Sequence, residues 1–202
     1  MMRVYFAILY FAFLIVLITG IGSFSAEDVF ERNDDTYHQR VFGITMEIPG
    51  NWKIKDNGEV SPNGTYEIVI YPEHSDENEL YLSFFPIKGL SLEEFANENL
   101  LELSSGEKYT IIEKKVGTLD CLYANIPMSS FPEKEFPALT TIFSRAGDHY
   151  MKILFYSYDS DKFAKTSQII ESTKFDQKLK TLSFLAVKDH WRYGTPNEDK
   201  SS

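Results

Sequence analysis

The four histidines, His38, His74, His149 and His190, fall in four separate segments, so no two have the spacing that lets imidazoles share a metal ion. The nearest approach to a metal loop is Glu73-His74-Ser75-Asp76-Glu77-Asn78-Glu79, whose oxygens would suit a hard cation such as calcium. It lacks the glycine and the regular spacing of an EF-hand loop, and a solvated acidic loop accounts for the same residues. No metal site and no cofactor are expected. G-x-S-x-G, a Gly-rich phosphate loop and H-E-x-x-H are missing from the sequence. Paired carboxylates occur only as surface neighbours, without the apolar setting that would raise one pKa. Cys121, the single cysteine, lies in an apolar strand-like run with no histidine beside it. It reads as a small buried hydrophobe, not as a nucleophile. The residue types predict no catalytic residues, and the chain is not expected to be an enzyme.

One stretch offers recognition in place of chemistry. Pro127 to Ala138, PMSSFPEKEFPA, is stiffened by Pro127, Pro132 and Pro137 and carries Phe131 and Phe136 outside any strand period. Proline lowers the ordering cost of binding, so Phe131 and Phe136 are candidate partner-binding anchors. The same two rings could instead fold back on a sheet as a small satellite core.

The elements that must position such residues are read from periodicity. In Val41 to Ile54, Phe42, Ile44, Met46 and Ile48 alternate with Val41, Gly43, Thr45 and Glu47, which predicts a strand with one apolar face. Pro49-Gly50 forces a turn, and Trp52 after it reads as a core plug. Lys55 to Thr65 holds the turn pairs Asn57-Gly58, Ser61-Pro62 and Asn63-Gly64. Asn63-Gly64-Thr65 also fits an N-glycosylation acceptor, or is a plain turn. Strands are expected at Tyr66 to Tyr71 and from Leu80 to Phe85. Ser91-Leu92-Glu93-Glu94 is a capping box opening a helix with Leu92, Phe95, Ala96, Leu100 and Leu103 on one face. Tyr109 to Val116 and Leu119 to Ile126 flank Gly117-Thr118, and Leu139 to Arg145 and His149 to Tyr158 flank Ala146-Gly147-Asp148, as two hairpins. A second helix is expected from Asp161 to Ser172, with Phe163, Thr166, Ser167 and Ile170 on one face. Lys178 to Tyr193 has a weaker helical pattern.

Composition sets the frame. The chain has 202 residues, with 43% hydrophobic and 25% charged, which suits one globular domain. Aromatics reach 15%, with 12 Tyr and 16 Phe, and favour strands over a helix bundle. A net charge of −10 argues against nucleic acid, whose phosphates need Lys and Arg, and against anionic lipid heads. Residues 1–25 carry Arg3, an apolar run from Val4 to Ile18 and small residues at Ser23 and Ser25. They read as a signal peptide or as an N-terminal membrane anchor, and either one puts the domain outside the cytoplasm. Residues 26–39, with Glu27, Asp28, Glu31, Asp34 and Asp35, read as an acidic, solvated linker. Residues 40–176 form the domain, and 177–202 an extension expected to be partly disordered.

The order of these elements resembles the PsbP-like superfamily, within it the PsbP-related exported proteins of prokaryotes. The matching features are the aromatic-rich strand and turn from Phe42 to Trp52, the helix start from Ser91 to Phe95, and Ile169-Ile170-Glu171-Ser172 with Phe175. The resemblance spans about Arg40 to Phe175. It implies an α+β fold, an antiparallel sheet with helices packed on its faces as an α/β/α sandwich. It also implies a non-catalytic extracytoplasmic module that binds a protein or assists an envelope complex. A small-ligand or cation-binding protein and an exported enzyme are the alternatives. Two features depart from the family: Cys121 is no lipobox cysteine, and the chain continues well past Phe175.

Overall fold

In a computed structural model of the chain, which describes residues 29–56, 60–74, 80–104, 108–127, 138–157, 160–180 and 184, the period-two stretches become strands and the capped stretches helices. The large sheet takes β4 (Trp52–Lys55), β5 (Tyr66–Pro72), β6 (Leu80–Pro86), β7 (Thr110–Val116), β8 (Leu119–Pro127), β9 (Ala138–Ala146) and β10 (His149–Ser157) in the order β4-β5-β6-β10-β9-β8-β7. The small sheet takes β1 (Phe30–Asn33), β2 (Thr36–Gln39), β3 (Ile44–Glu47) and β11 (Lys174–Phe175) in that order. Every strand pairing among the described residues is antiparallel. With the helices α1 (Leu92–Ser104) and α2 (Ser160–Glu171), the class is α+β.

Alternation along the strands of the large sheet divides the core in two. On β10, Tyr150 and Leu154 face one way, and Met151, Ile153 and Phe155 the other. The first face carries Ala124, Ile126, Leu139 and Phe143, and is covered by Phe95, Ala96 and Leu100 of α1. The second carries Ile68, Ile70, Leu80, Leu82 and Phe84. It packs with Tyr37, Ile44, Met46 and Ile48 of the small sheet and its neighbours and with Ile169 and Ile170 of α2. The layer opposite α1 is therefore a second sheet as much as a helix.

The capping box forms: the Glu94 N–H donates to Ser91 Oγ at 3.2 Å, and the Ser91 N–H to Glu94 Oε2 at 2.7 Å. Both tight hairpins form as well. Gly117, with φ +56°, is held so close to the strand end at Thr173 that a Cβ would lie 1.9 Å from that residue's carbonyl oxygen. Cys121 is buried and Trp52 plugs the core, as expected.

Three expectations are corrected. Residues 26–39 do not read through as a solvated linker, because β1 and β2 occupy much of that stretch and Tyr37 and Gln39 are fully buried. Asp34 and Asp35 sit exposed in the turn between β1 and β2, and with Glu31 they conceal the apolar alternation of Phe30 and Tyr37. Arg32 explains why the stretch is fixed: its guanidinium donates to the carbonyls of Trp52 at 2.8 Å, Pro49 at 3.0 Å and Ile48 at 3.3 Å, bracing the Pro49-Gly50 turn. Second, the strand expected from Val41 up to the Pro49-Gly50 turn is shorter, Ile44–Glu47. Val41–Gly43 is a turn, with Gly43 at φ +68°, and the chain changes sheet between β3 and β4. Phe42, Ile44, Met46 and Ile48 are all buried nonetheless, and Val41 with them. Third, α2 buries Thr166, Ile169 and Ile170, so its inward face is turned from the one anticipated at Ser167. At the start of the Lys178 to Tyr193 pattern, Gln177–Leu179 is a 3-10 turn ending at an extended Lys180.

Candidate binding cleft

The residues singled out in the sequence are not brought together. Phe131 and Phe136 lie outside the described residues, as do residues 1–25, His190 and most of the acidic loop after His74. His38 is half-buried on β2, 3.1 Å from Thr45 Oγ1, while His149 is buried at the start of β10. Among the described residues no group of His, Cys, Asp and Glu is placed to hold a metal ion, and no helix is long and apolar enough to cross a membrane.

The cleft of interest is one that periodicity did not suggest. Because α1 sits over β8, β9 and β10, the same face of the sheet stays partly open beside it, over β6 and β5. Phe95, Glu98, Asn99 and Glu102 are spaced i, i+3, i+4 and i+7, so they share the helix flank that borders this opening. Phe85 and Tyr150, directly opposite one another on β6 and β10, form the floor. Phe95 stacks on Tyr150 with centroids 4.8 Å apart and tilts against Phe85 at 5.1 Å. Asn63 and Thr65 from the loop before β5, and Lys88 and Leu90 from the loop before α1, complete a cleft of about 300 Å³.

Its polar groups are largely tied into the fold. The Tyr150 hydroxyl donates to the Leu90 carbonyl, fixing the loop that leads into α1. Lys152, two residue pairs along from the Phe85–Tyr150 floor and on the same face, donates to Asn99 Oδ1 at 3.3 Å and lies 5.1 Å from the Phe85 ring centroid. Burial pulls the Lys152 ammonium below its ordinary pKa, against the opposing pull of Glu102 and Glu67. The arrangement offers a flat aromatic surface edged by two carboxylates, amides and a lysine, which is the chemistry of recognition.

Two further polar clusters lie beyond what periodicity shows. Asp56, buried at the end of β4, accepts from Tyr37 Oη at 2.6 Å, from Gln39 Nε2 at 2.9 Å and from the Tyr66 hydroxyl. Gln39 also donates to Tyr66 Oη at 2.9 Å, and its own carbonyl accepts the Val41 N–H at 2.7 Å. Burial, and then the charge of Asp56, push both phenols far above the usual tyrosine range. The cluster ties β2 of the small sheet to β4 and β5 of the large one. Elsewhere, His149 Nδ1 lies 3.0 Å from Asp148 Oδ1, which also receives Lys180 Nζ at 2.8 Å. Partial burial works against Asp148, yet Lys180 and His149 hold its carboxyl down to about 2.

Two solved structures are similar to this chain in fold. A crystal structure of a protein from Bacteroides thetaiotaomicron matches with a TM-score of 0.43 and 15% identity, covering 73% of this chain and 50% of the other. The solution structure of cyanobacterial PsbP from Synechocystis matches with a TM-score of 0.47 and 12% identity, covering 70% of this chain and 91% of the other. The chain thus spans half the length of the Bacteroides protein. No protein-family model matches the chain, and no curated protein does.

Proposed function

We propose that the chain is a non-catalytic PsbP-like module, an α/β/α sandwich working outside the cytoplasm, that holds a protein partner at the cleft beside α1. The observation that carries this reading is the cleft itself. Its aromatic wall is preformed by the Phe95–Tyr150 and Phe85–Phe95 contacts, and its Tyr150 hydroxyl is already bonded to the backbone. A space of about 300 Å³ takes one large rigid side chain of a partner, the kind of group that dominates interface energetics. Glu98, Glu102 and Lys88, which all line the cleft, add charge selectivity. The apolar run behind Arg3 supports export, with membrane contact through that segment alone if it is uncleaved. The acidic composition disfavours nucleic acid.

Photo-crosslinking in the native host tests the reading. A benzophenone amino acid is placed in turn at Glu98 on the cleft rim, at Phe131, and at Lys165, an exposed residue of α2. A protein adduct from Glu98 and none from Lys165 supports the cleft. An adduct from Phe131 alone moves the contact to the Pro127–Ala138 segment and its Phe131 and Phe136. No adduct, or equal adducts from all three, overturns the partner reading. The same cleft volume lies at the small end of ligand pockets, roughly 300–1,000 Å³. A small molecule or calcium that raises the unfolding temperature of the chain, with the small-molecule effect lost in Phe85→Ala, would favour the ligand reading instead.

A further inference from the structure

After α2 the chain turns back across the molecule, and the contacts it makes there converge on one buried histidine. The Thr118 N–H donates to the Thr173 carbonyl at 3.3 Å, and the Phe175 N–H to Thr118 Oγ1 at 3.2 Å. The Asp176 N–H then donates to the Gly43 carbonyl at 3.0 Å, and Lys180 Nζ reaches Asp148. Gly43 has no room for a side chain, since a Cβ would lie 2.6 Å from the Asp176 carbonyl oxygen. The Phe184 ring closes the path, edge-on to the His149 ring at 4.5 Å and 5.9 Å from Phe42. His149 is thus enclosed between Phe42, at 5.1 Å, and Phe184, and is only 3% exposed.

The chemistry of that enclosure is one-sided. The Asp148 carboxylate only accepts, so the imidazole Nδ1 carries a proton toward it and Nε2 is the bare nitrogen of a neutral ring. Nε2 is buried and has no hydrogen-bond partner among the described residues. A proton added there would need an acceptor that two phenyl rings do not supply. Among the described residues the charged groups acting on the ring are Asp148 from its own turn and Lys180 from the returning segment. Among the described residues the ring contacts are Phe42 and Phe184, and the strand partners of His149 are Pro86 on β6 and Ala146 on β9.

We propose that the segment from Thr173 to Lys180, together with Phe184, is an acid-released strap, opened when His149 takes a proton at Nε2 in its aromatic enclosure. Asp148 is two-thirds exposed, so its attraction for an imidazolium is screened, while Lys180 on the strap repels one. Burial accordingly holds the His149 pKa below its ordinary value of 6.5, against the pull of Asp148. The neutral ring is the latched form. Strap stability is therefore full above pH 6.5 and falls as the pH drops below it, by up to about tenfold in the closed-to-open ratio per pH unit for one proton, until the closed form itself takes the proton. Release bares Phe42 and the His149 ring at the junction of the two sheets.

Hydrogen exchange on the full chain, corrected for the intrinsic pH dependence, reads the strap directly. From pH 6 to pH 5 the protection of the Asp176 and Leu179 amides should fall, by up to about tenfold, while that of Ile153 in β10 holds. In His149→Phe, which keeps a ring and loses the proton site, protection at Asp176 should stay level. Asp148→Asn should keep the dependence on His149, which separates it from titration of that carboxylate near pH 2 to 4. Level protection in the parent chain overturns the proposal, as does an undiminished fall in His149→Phe. Should that variant not fold, an imidazole titration of the parent chain by NMR decides: a His149 pKa at or above 6.5 refutes the latch, and one below it that coincides with loss of Asp176 protection supports it.

Discussion

Removing the Tyr37 hydroxyl is the sharpest test of how the two sheets are held together. Tyr37 is fully buried and donates to the Asp56 carboxylate at 2.6 Å, so Tyr37→Phe deletes one charge-assisted bond and leaves the ring in place. Bonds to charged groups contribute roughly 1.5–3 kcal/mol net, which sets the expected loss. For a chain of this size that is about 2–4 °C of unfolding temperature per kcal/mol. Tyr66→Phe should cost a similar amount. The double variant should depart from the sum by about 0.5–3 kcal/mol, because both hydroxyls serve one carboxylate. The assay is urea unfolding followed by the fluorescence of buried Trp52, at the other end of β4. Tyr81→Phe, at a half-buried position, serves as the control and should stay within about 0.5 kcal/mol. Alkali gives a second reading. Both phenols are raised above the ordinary value of 10.0, so their contribution is intact below pH 10 and is lost as pH climbs toward the folded-state values. The unfolded chain ionises first, and stability should drop by about 1.4 kcal/mol per pH unit for each phenol. If Tyr37→Phe is as mild as Tyr81→Phe and leaves the alkaline slope unchanged, the Asp56 cluster does not bridge the sheets.

Ile44→Ala should cost about 2–5 kcal/mol and Thr45→Ala under about 1 kcal/mol, measured in the same urea titration, since Ile44 is buried and Thr45 half-exposed. Equal costs would mean that β3 presents the other face. Gly117→Ala should destabilise by well over about 1 kcal/mol, because it combines a positive φ with a Cβ driven into the Thr173 carbonyl. Gly89→Ala, with positive φ and open space, should cost less, and calorimetry ranks the two. Buried Cys121, whose pKa is raised by burial, should react with a thiol reagent only as fast as the protein opens. Immediate labelling of the native chain would contradict that.

What could be read from the sequence was what neighbouring residues determine. The capping box at Ser91, the turn at Gly117-Thr118 and the alternation from Leu80 to Phe84 each lie within a few residues of their partners. The Asp56 cluster could not be read that way. Lys55-Asp56-Asn57-Gly58 has turn composition, and Asp56 is buried only because Tyr37 and Gln39 arrive from another sheet. The linker assignment failed on a related ground, since the charges of residues 26–39 outnumber an alternation whose worth appears only when Phe30 and Tyr37 meet, at 5.6 Å between centroids. The cleft escaped notice because Glu98, Asn99 and Glu102 look like a solvated flank until the sheet beside α1 proves wider than the helix covers. Trp52 reads as a core residue and is one, but nothing local says that it belongs to a different sheet from Met46.

The pairing of β11 with β3, Lys174 with Thr45 and Phe175 with Ile44, also sets a timetable for folding. Loop-closure entropy delays contacts so distant in sequence, and the small sheet cannot gain its fourth strand until nearly all of the described chain is available. The large sheet meets no such delay at its centre, where β9 and β10 are joined by two residues. A chain delivered across a membrane N-terminus first would thus emerge with β1, β2 and β3 waiting, their apolar residues uncovered, while the hairpins behind them close. Such a chain passes its period of greatest exposure to aggregation and proteolysis between the arrival of Met46 and that of Phe175. Truncation just before Lys174 should therefore prolong that period indefinitely.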